Sequence, residues 1–331
     1  MAKGDWTRKE MKQRKKLIDQ AKATYPDLGK RSLALYLNNK RPDMFPTIES
    51  ARSCVRYYAG EVGDKLRKQR GFKPRLPETS SIPREPFIIP KNVKNLGIIS
   101  DIHIPYHDVE ALEVAINKMQ EKEIDGLLIN GDLIDFHRIS RFIKDPRKRD
   151  LVQEIIDTQE FLNYLRTVFP DIPIYFKEGN HEERWEKFLM EKAPQFLELP
   201  SFQIEVNLNL EYFRIQYIRN KRRIIFGDLD ILHGHEITGR YGAGVMPARS
   251  FYVKAKKNVL CSHVHRTQNY TDKRIDGSIN GGWTTGCLSD LSPDYNPYNE
   301  YNLGFARVER IKGVHHNFRV FNYKIIEGQV I

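Results

Sequence analysis

The sequence has 331 residues, 40% of them hydrophobic, so the chain is long enough to bury a sizeable core in about one to three domains. No run of about 18 apolar residues occurs and the N-terminus is charged, so the sequence predicts neither a membrane-spanning helix nor a secretory signal peptide. Three widely spaced cysteines, none in a Cys-x-x-Cys pair, favour a reducing cytoplasm over a disulfide framework or a cysteine zinc site.

The positive charge is concentrated at the start of the chain. The formal net charge is +11. Residues 1–75 hold 20 Lys and Arg and 8 Asp and Glu, a net charge of +12, whereas the remainder has 34 basic and 35 acidic residues, a net charge of −1. This asymmetry indicates a polyanion-binding module attached to an otherwise balanced domain. A solvated basic helix without a partner is the alternative.

Three short helices are predicted before residue 65. They are expected at about 7–23, 30–39 and 47–60. The first opens with the capping box Thr7-x-x-Glu10. Thr47 is the predicted cap of the third helix, and Gly60 is its predicted stop. These elements predict a compact bundle of three helices.

The third helix has two distinct faces. Helical spacing turns a set of apolar side chains inward, namely Ile48, Ala51, Val55 and Tyr58. The other face shows serines together with Arg52, Arg56 and Tyr57. A bundle whose last helix exposes these residue types is typical of a helix-turn-helix, so Arg52, Arg56 and Tyr57 are the predicted nucleic-acid contacts. Small bundles of this kind also bind proteins, which is the alternative.

A proline-rich segment follows the helices. Residues 71–92 contain five prolines and the polar run "ETSS", which predicts an extended linker. The predicted organisation is therefore a basic helical domain at 1–70, a linker at 71–92, and a second domain at 93–331.

After residue 93 the pattern changes to apolar strands that alternate with amphipathic helices. Strands are predicted at 94–100, 126–131 and 172–177, and helices at about 108–121, 150–168 and 182–190. Later strands are predicted at 222–233, 257–262, 277–287 and within 303–329. The order predicts an α/β domain with a second, more antiparallel sheet packed on the first.

Polar groups follow the predicted strands wherever one stops. The motifs are "SDIH" with Asp101 and His103, "NGDLID" with Asp132 and Asp135, "GNHE" with Asn180 and His181, "LHGHE" with His233 and His235, and "CSHVH" with His263 and His265. Loops at the carboxyl ends of strands are where open α/β sheets bind ligands. A single histidine here is an ordinary surface or core residue, but the whole series predicts one site.

Imidazole, carboxylate and amide groups suit a pair of divalent metal ions. These donors favour Mn, Fe, Zn or Ni and need no thiolate, and manganese is our first expectation. Two ions about 3.5–4 Å apart can share a carboxylate, lower the pKa of a water and clamp the oxygens of an in-line displacement at phosphorus. The strand-end motifs therefore predict phosphoryl chemistry.

The motif series resembles the calcineurin-like metallophosphoesterase family over about residues 94–325. The resemblance implies an α/β fold in which a β-sandwich is flanked by helices, here preceded by a small all-α helix-turn-helix-like domain. It also implies one metal held by Asp101, His103 and His265, a second held by Asn180, His233 and His263, and Asp132 bridging the two.

The resemblance implies catalytic roles for two further residues. His181 protonates the leaving oxygen or binds the phosphate, and Asp135 orients it. Glu182 and Glu183, at the start of the following helix, are expected to stabilise its positive end instead of acting on substrate. Ser262 stands where the family usually has glycine, so we expect a slightly strained or differently shaped turn there.

Within the family, the chain resembles the metallophosphoesterases encoded by phages and prophages. The resemblance is carried by "RSLALYLNNKRPDMFPTIESARSCVRYYAG", "GDLIDFHRIS", "GNHEER" and "GGWTTGCLSDLSPDYNPYNEYNLGFARVER", so it covers most of the chain. It informs the architecture more than the substrate, and it implies a location in the cytoplasm of a bacterial host cell.

Three functions compete. The charge asymmetry and the helix-turn-helix-like segment favour a nuclease or phosphodiesterase that acts on nucleic acid. A phosphomonoesterase for phosphoprotein or a small phosphate is the second, although "GDLIDFH" lacks the arginine of the protein-phosphatase motif Gly-Asp-x-Val-Asp-Arg-Gly; Arg138 and Arg184 are possible substitutes. A DNA-binding protein with a vestigial metal site is the third, and the complete set of ligand positions weighs against it.

Overall fold

The computed structural model describes residues 6–62, 79–81, 84–141, 150–237, 239, 244–293, 296–311 and 317–331. The chain divides into two compact units, Met1–Ser81 and Ile82–Ile331. The helices described in the first unit are α1 (Arg8–Thr24), α2 (Lys30–Lys40) and α3 (Ile48–Tyr58). Their bounds agree with the sequence-based prediction to within a residue or two.

The three helices enclose a hydrophobic core of their own. Ile18, Leu33 and Phe45 are among its fully buried side chains. At the start of α1, the Glu10 N–H donates to Thr7 Oγ1 at 3.3 Å and the Thr7 N–H donates to Glu10 Oε2 at 2.8 Å. The predicted capping box is therefore confirmed.

Arg14 is buried in this first unit and ties α1 to the turn before α3. Its Nε donates to the Met44 carbonyl at 2.7 Å, and its Nη2 donates to Ser50 Oγ at 2.7 Å. The guanidinium also lies over the rings of Trp6 and Phe45, 3.9 and 4.9 Å from their centroids. One of the basic residues of the positively charged segment thus has a structural role.

The prediction that Ile48 faces inward is wrong, because its side chain is 44% exposed. Met44 and Phe45, from the turn that precedes α3, are buried at this end of the core instead. Further along the helix, Ala51 and Val55 are buried as predicted, and Cys54 is buried beside them.

The larger unit alternates strands and helices and then continues mainly in strands. Its strands are β1 (Phe87–Ile88), β2 (Asn95–Ile99), β3 (Gly126–Asn130), β4 (Ile174–Lys177), β5 (Ile215–Ile218), β6 (Ile224–Phe226), β7 (Leu229–Leu232), β8 (Val259–Cys261), β9 (Gln268–Lys273), β10 (Ile279–Thr284), β11 (Gly304–Arg310), β12 (Phe318–Ile326) and β13 (Gln329–Val330). Its described α-helices are α4 (Val109–Glu121), α5 (Leu151–Val168), α6 (Glu182–Lys192), α7 (Ile204–Asn207) and α8 (Pro247–Ala255). Among the residues that the structure describes, no helix is both long and apolar enough to cross a membrane.

The strands form two mixed sheets. Their orders are β13-β12-β11-β2-β3-β4-β5 and β1-β6-β7-β8-β10-β9. The expectation that the second sheet is the more antiparallel one is wrong, since β1–β6, β7–β8 and β8–β10 all pair in parallel. The reason is that the closing strands β11 to β13 extend the first sheet through an antiparallel pairing with β2, while α8 forms a crossover between β7 and β8.

The end of the predicted linker is part of the sandwich. Residues 71–78 and 82–83 lie outside the described residues, but β1 pairs in parallel with β6, and Ile89 is fully buried. The folded part of the larger unit therefore begins before residue 93.

The two sheets pack face to face and helices cover them. Ile98 of the first sheet and Leu260 of the second belong to one buried cluster between the sheets. On its other face the first sheet packs against α4 and α5 through residues such as Ile116 and Leu162. Helix α8 packs against β8 through Phe251. The fold is thus an α/β sandwich flanked by helices, and the predicted fold class is confirmed.

The topology places the polar motifs at neighbouring strand ends. Strands β2, β3 and β4 are consecutive parallel neighbours, so the loops that follow them lie at one edge of the first sheet. Strands β7 and β8 are parallel neighbours in the second sheet. The loops after these five strands carry the predicted site.

Candidate metal centre

The strand-end loops bring most of the predicted polar residues into one cluster. Three groups of side chains have ligand atoms within 4.8 Å of one another: Asp101 with His103 and His265, His103 with Asp132 and His181, and Asp132 with His233 and His263. Asn180 joins the third group through a contact with His233. His235 does not join, because its Nε2 lies 2.9 Å from Glu183 Oε1.

Asp132 lies at the centre of the cluster. Its Oδ2 is 3.3 Å from His233 Nε2, 3.8 Å from His181 Nε2 and 3.9 Å from His103 Nε2. Its Oδ1 accepts the backbone N–H of His181 at 3.0 Å. The carboxylate therefore contacts both halves of the cluster.

Each half of the cluster contains convergent donor atoms. In one half, His265 Nε2 is 3.3 Å from Asp101 Oδ1 and 3.3 Å from His103 Nε2. In the other, His233 Nε2 is 3.2 Å from Asn180 Oδ1, while its Nδ1 lies 2.7 Å from the Asn130 carbonyl. That carbonyl holds the His233 ring so that Nε2 faces the cluster.

These spacings fit the coordination of divalent metal ions. Two ligand atoms bound at about 2.1 Å with tetrahedral or octahedral angles lie roughly 3.0–3.4 Å apart. The contacts of His265 with Asp101 and His103, and of His233 with Asp132 and Asn180, measure 3.2–3.3 Å. Imidazole and carboxylate donors at this spacing suit divalent metals, without selecting a particular one.

The carboxylates also make the cluster favourable for positive charge. Burial disfavours the charged form of His233, but Asp132 and Asp101 raise its pKa to about 10. Burial likewise opposes ionisation of Asp135, yet hydrogen bonds with His103 and His181 hold its pKa well below its ordinary value. A bound cation would supply the positive charge that these carboxylates attract.

His181 lies beside Asp132 and is held on both ring nitrogens. Its Nδ1 is 2.8 Å from the Asp135 carbonyl and 3.1 Å from Asp135 Oδ1. Its Nε2 is 2.8 Å from Arg184 Nη2, and Arg184 Nη1 donates to the Asp135 carbonyl at 2.7 Å. Because guanidinium can only donate, His181 Nε2 accepts and Nδ1 carries the proton in this arrangement.

Several residues of the cluster have a left-handed backbone. The φ angles of Asp101, His103, Asp132, His263 and His265 are 53°, 53°, 52°, 69° and 55°. This region is sparsely populated for residues other than glycine, although Asp and His tolerate it better than most. Local strain of this kind collects at functional sites, and the residue types alone do not reveal it.

Glu182 fixes the loop after β3. Its buried carboxylate accepts the N–H groups of Gly179, Asp132 and Leu133 at 2.8, 3.0 and 2.8 Å. Burial and the nearby charge of Asp132 raise its pKa to about 7. The expectation that Glu182 mainly stabilises the positive, N-terminal end of α6 is therefore wrong, because its carboxylate accepts hydrogen bonds from the loop after β3.

Glu236 has the same role for the loop after β7, and the sequence analysis missed it. Its carboxylate accepts the N–H groups of His233 and Gly234 at 3.2 and 2.7 Å. Lys177, fully buried at the end of β4, lies 2.7 Å from Glu236 Oε1. One feature of the sequence could have identified both glutamates: Glu182 and Glu236 each come directly after a histidine of a strand-end motif.

Ser262 is accommodated by hydrogen bonds and does not adopt a backbone conformation that requires glycine. Asn130 Nδ2 lies 2.8 Å from Ser262 Oγ, and Thr285 Oγ1 lies 2.9 Å from it. Its φ is not in the left-handed region, unlike those of His263 and His265. Ser262 therefore fits the loop that carries these two histidines without a left-handed backbone of its own.

The predicted nucleic-acid contacts lie in the first unit, on α3. Arg52 and Arg56 are exposed, and their guanidinium groups lie 3.6 Å from Glu49 and 3.7 Å from Glu61. Tyr57 is half-buried and packs edge-on against Tyr58. The first two therefore lie on the surface that was predicted, and contact with nucleic acid stays a prediction.

Two clefts adjoin the cluster at different histidines. The His263 cleft, of about 700 Å³, includes His235, His263 and Tyr301, and the Tyr301 ring packs 4.4 Å from that of His265. The Arg184 cleft, of about 800 Å³, is lined by Ile139, Ser140, Arg141, Arg184, Lys187, Phe188, Glu191 and Lys192. It meets the cluster where Arg184 contacts His181.

Comparison with known proteins finds a matching family, relatives from phages and a solved structure that is similar. The profile of the calcineurin-like phosphoesterase family matches residues 94–272, more than half of the chain. The Gene 54 protein of Mycobacterium phage L5 is 30% identical over 184 residues, which cover 52% of this chain and 69% of that protein. The Gene 54 protein of Mycobacterium phage D29 is 28% identical over 182 residues, with the same coverage. The crystal structure of a Vps29 single mutant from Entamoeba histolytica has 13% identity and a TM-score of 0.38, and covers 72% of this chain and 96% of that chain.

Proposed function

We propose that this chain, which belongs to the calcineurin-like phosphoesterase family, is a nuclease or phosphodiesterase whose substrate is nucleic acid. Family membership and the cluster of histidines and carboxylates make it a metal-dependent hydrolase.

We assign the predicted ligands to two ions. One is held by Asp101, His103 and His265, the second by Asn180, His233 and His263, and Asp132 is shared. The spacing of the donor atoms in each half and the central place of Asp132 support this division. Divalent ions held by these residues would lower the pKa of a bound water and neutralise charge on phosphate oxygens. We propose manganese first, with iron, zinc or nickel as alternatives.

His181 is the proposed donor of a proton to the leaving oxygen. Asp135 holds Nδ1 of its ring through both the carbonyl and the carboxylate, so Nε2 is the nitrogen on the side of Asp132. Nε2 accepts a hydrogen bond from Arg184 in the structure, so it must take up a proton before it can donate one to the leaving oxygen. A positioned imidazole in this role typically contributes about 10²–10⁴-fold in rate. Asp135 is therefore a positioning residue and does not contact the substrate.

The observation that carries the choice of a diester is the pair of clefts. A phosphodiester has a substituent on each of two sides of phosphorus, whereas a monoester has only one. The His263 cleft adjoins the cluster at a proposed metal ligand, and the Arg184 cleft adjoins it at His181, the proposed proton donor. Open space beside a proposed metal ligand and beside the proposed proton donor suits a substrate that continues beyond the phosphate in two directions.

The basic first unit supports nucleic acid as that diester. Residues 1–75 have a net charge of +12. We propose that this unit binds nucleic acid through α3, with Arg52, Arg56 and Tyr57 as contacts. Neutralising backbone phosphates in this way makes affinity strongly dependent on salt.

One panel of substrates tests the proposed function. Protein loaded with Mn²⁺ is assayed on single-stranded DNA, duplex DNA, RNA, bis(p-nitrophenyl) phosphate and p-nitrophenyl phosphate, with Asp132→Asn as the control for contaminating enzymes. We expect at least one nucleic acid and the small diester to be cleaved with a higher kcat/KM than the monoester. Hydrolysis of the monoester alone would overturn the proposal in favour of a phosphomonoesterase.

A further inference from the structure

The Arg184 cleft carries an excess of positive charge. Among the described residues, the lining includes four cationic side chains, Arg141, Arg184, Lys187 and Lys192, and the carboxylate of Glu191. Lys187 also forms an ion pair with Glu183, one turn earlier on the same helix. Arg141 and Lys192 share that carboxylate, at 3.8 and 2.9 Å. A concave surface with this charge attracts anions.

Arg184 is the cation nearest the metal cluster, and its contacts are with neutral groups. Its guanidinium donates to the Asp135 carbonyl and to His181 Nε2, at 2.7 and 2.8 Å. Within the described ranges of the chain, no carboxylate lies at ion-pair distance from it. A partly buried guanidinium without an anionic partner beside a phosphoesterase site is suited to bind a phosphate, which it can contact through two parallel hydrogen bonds.

The remaining cations continue outward along α6. Arg184, Lys187, Phe188 and Glu191 recur at helical spacing, so they lie on one face of this helix. The seven steps from Arg184 to Glu191 span about 10 Å at about 1.5 Å per residue, which equals the axial rise of roughly three nucleotides in a duplex at 3.4 Å each. Phe188 adds an aromatic ring that is 36% exposed, on which a base can stack.

From this geometry we propose that the Arg184 cleft is a binding subsite for the backbone phosphates of a polynucleotide on the leaving-group side of the scissile bond. Arg184 contacts the reacting phosphate, and Lys187, Arg141 and Lys192 contact the phosphates that follow. The inference rests on the proposed function and deepens it, because a small diester can occupy only the position next to Arg184.

Substrate binding also changes the partner of His181. A phosphate oxygen is charged and accepts stronger hydrogen bonds from guanidinium than a neutral imidazole nitrogen does. A substrate that draws Arg184 Nη2 away from His181 Nε2 frees the nitrogen that faces Asp132. Arg184 thus links the binding of a phosphate in the cleft to the hydrogen bonding of His181 Nε2.

The subsite is tested on the full chain loaded with Mn²⁺. The double variant Arg141→Gln/Lys192→Gln removes two outer cations, and Lys118→Gln/Lys122→Gln is the matched control. The control lysines lie at the end of α4, which precedes the start of β3 and is therefore at the edge of the sheet away from the metal cluster. Kinetics are measured on the preferred oligonucleotide and on bis(p-nitrophenyl) phosphate over a range of salt concentrations.

We expect the outer double variant to raise the KM for the oligonucleotide roughly 10- to 30-fold at about 0.1 M salt, because each lost contact with a single strand removes about 0.7 from the log–log salt slope. The slope should become shallower by about 1.4. The oligonucleotide defect should exceed the small-diester defect at least about fivefold. Arg184→Gln should instead lower kcat/KM on both substrates, and Arg184→Lys should restore part of the loss.

The possible failures are distinguishable. If the wild type cleaves the oligonucleotide, and the outer double variant has the same KM and salt slope as the control variant, the subsite is overturned and the proposed function stands. Equal defects on the two substrates also overturn the subsite, because the small diester has no further phosphates. If the wild type cleaves the small diester and no nucleic acid, the proposed function fails and the subsite fails with it.

Discussion

Replacing Lys177 by methionine tests how the loop around His233 is stabilised. Lys177 has no exposed surface, and its Nζ lies 2.7 Å from Glu236 Oε1 and donates to the Arg222 carbonyl at 2.7 Å. Methionine retains an unbranched chain but leaves the Glu236 carboxylate buried without its ammonium partner. Removal of one partner of a buried ion pair typically costs about 3–5 kcal/mol of unfolding free energy.

The lowered pKa of Glu236 indicates a similar loss of unfolding free energy. Burial opposes its ionisation, but Lys177 and the neighbouring histidines lower its pKa from 4.5 to about 2. At about 1.4 kcal/mol per unit, the shift corresponds to roughly 3 kcal/mol. Because the folded-state pKa is below the unfolded one, this stability is present above pH 4.5 and is lost as the pH falls toward 2. The variant should lose a large part of the pH dependence in that window.

The assay is urea unfolding followed by tryptophan fluorescence, at pH 7 and at several values between about 3 and 5. Lys122→Met, at a half-buried surface lysine, is the control and should stay within about 0.5 kcal/mol of the wild type. Adding Glu236→Gln to Lys177→Met should recover part of the loss, because no unpaired charge remains. A cost below about 1 kcal/mol for Lys177→Met, or an unchanged dependence on pH, would refute the reasoning.

Three further predictions concern the metals, the proton and the first unit. Elemental analysis of Mn²⁺-loaded protein should give two ions per chain, fewer in Asp132→Asn; at most one ion in the wild type, with no change in the variant, contradicts the shared ligand. His181→Gln should keep both ions but lose about 10²–10⁴-fold in rate on esters with poor leaving groups, and much less on a p-nitrophenyl ester. Equal losses on both ester types would assign His181 to holding phosphate. Removing residues 1–75 should weaken DNA binding and flatten its dependence on salt, while hydrolysis of a small diester continues. Unchanged binding with the same slope would indicate a protein partner for this unit.

The first half of the sandwich was predictable because its strands are apolar runs that end in polar motifs. The buried strand β3 covers Gly126–Asn130, within the predicted range 126–131, and stops where the Gly-Asp-x-x-Asp motif begins. Helix α5 begins after Asp150, whose carboxylate caps the N–H of Val152. Each boundary depends on neighbouring residues, so local sequence contains the necessary information.

The pairing of the closing strands depends on distant residues and was not predictable in the same way. Strand β11 joins the first sheet by pairing Glu309 with Asn95 and Ala306 with Ile98. Alternation of apolar residues specifies which face of a strand is buried, but not which free edge it joins. The closing strands were therefore predicted correctly, but their antiparallel pairing was expected in the wrong sheet.

The geometry of the metal centre could not be predicted from the sequence for a related reason. The ligand types and their order were visible, but the groups that hold the loops are carboxylates whose partners come from other loops. Glu182 binds amides of the loop after β3, and Glu236 binds amides of the loop after β7. In the sequence both look like ordinary charged residues beside a histidine, and only the fold shows that they are buried.

These contacts indicate that the protein itself holds the loops in place. A left-handed backbone costs roughly 1–2 kcal/mol per residue, and the carboxylates of Asp101 and Asp132 repel each other in a buried site. Backbone amides oppose both effects, since the His263 N–H donates to Asp101 and the His181 N–H donates to Asp132. A bound divalent cation would then meet donor atoms that are already near coordination spacing, and it would relieve the charge repulsion without having to build the loops.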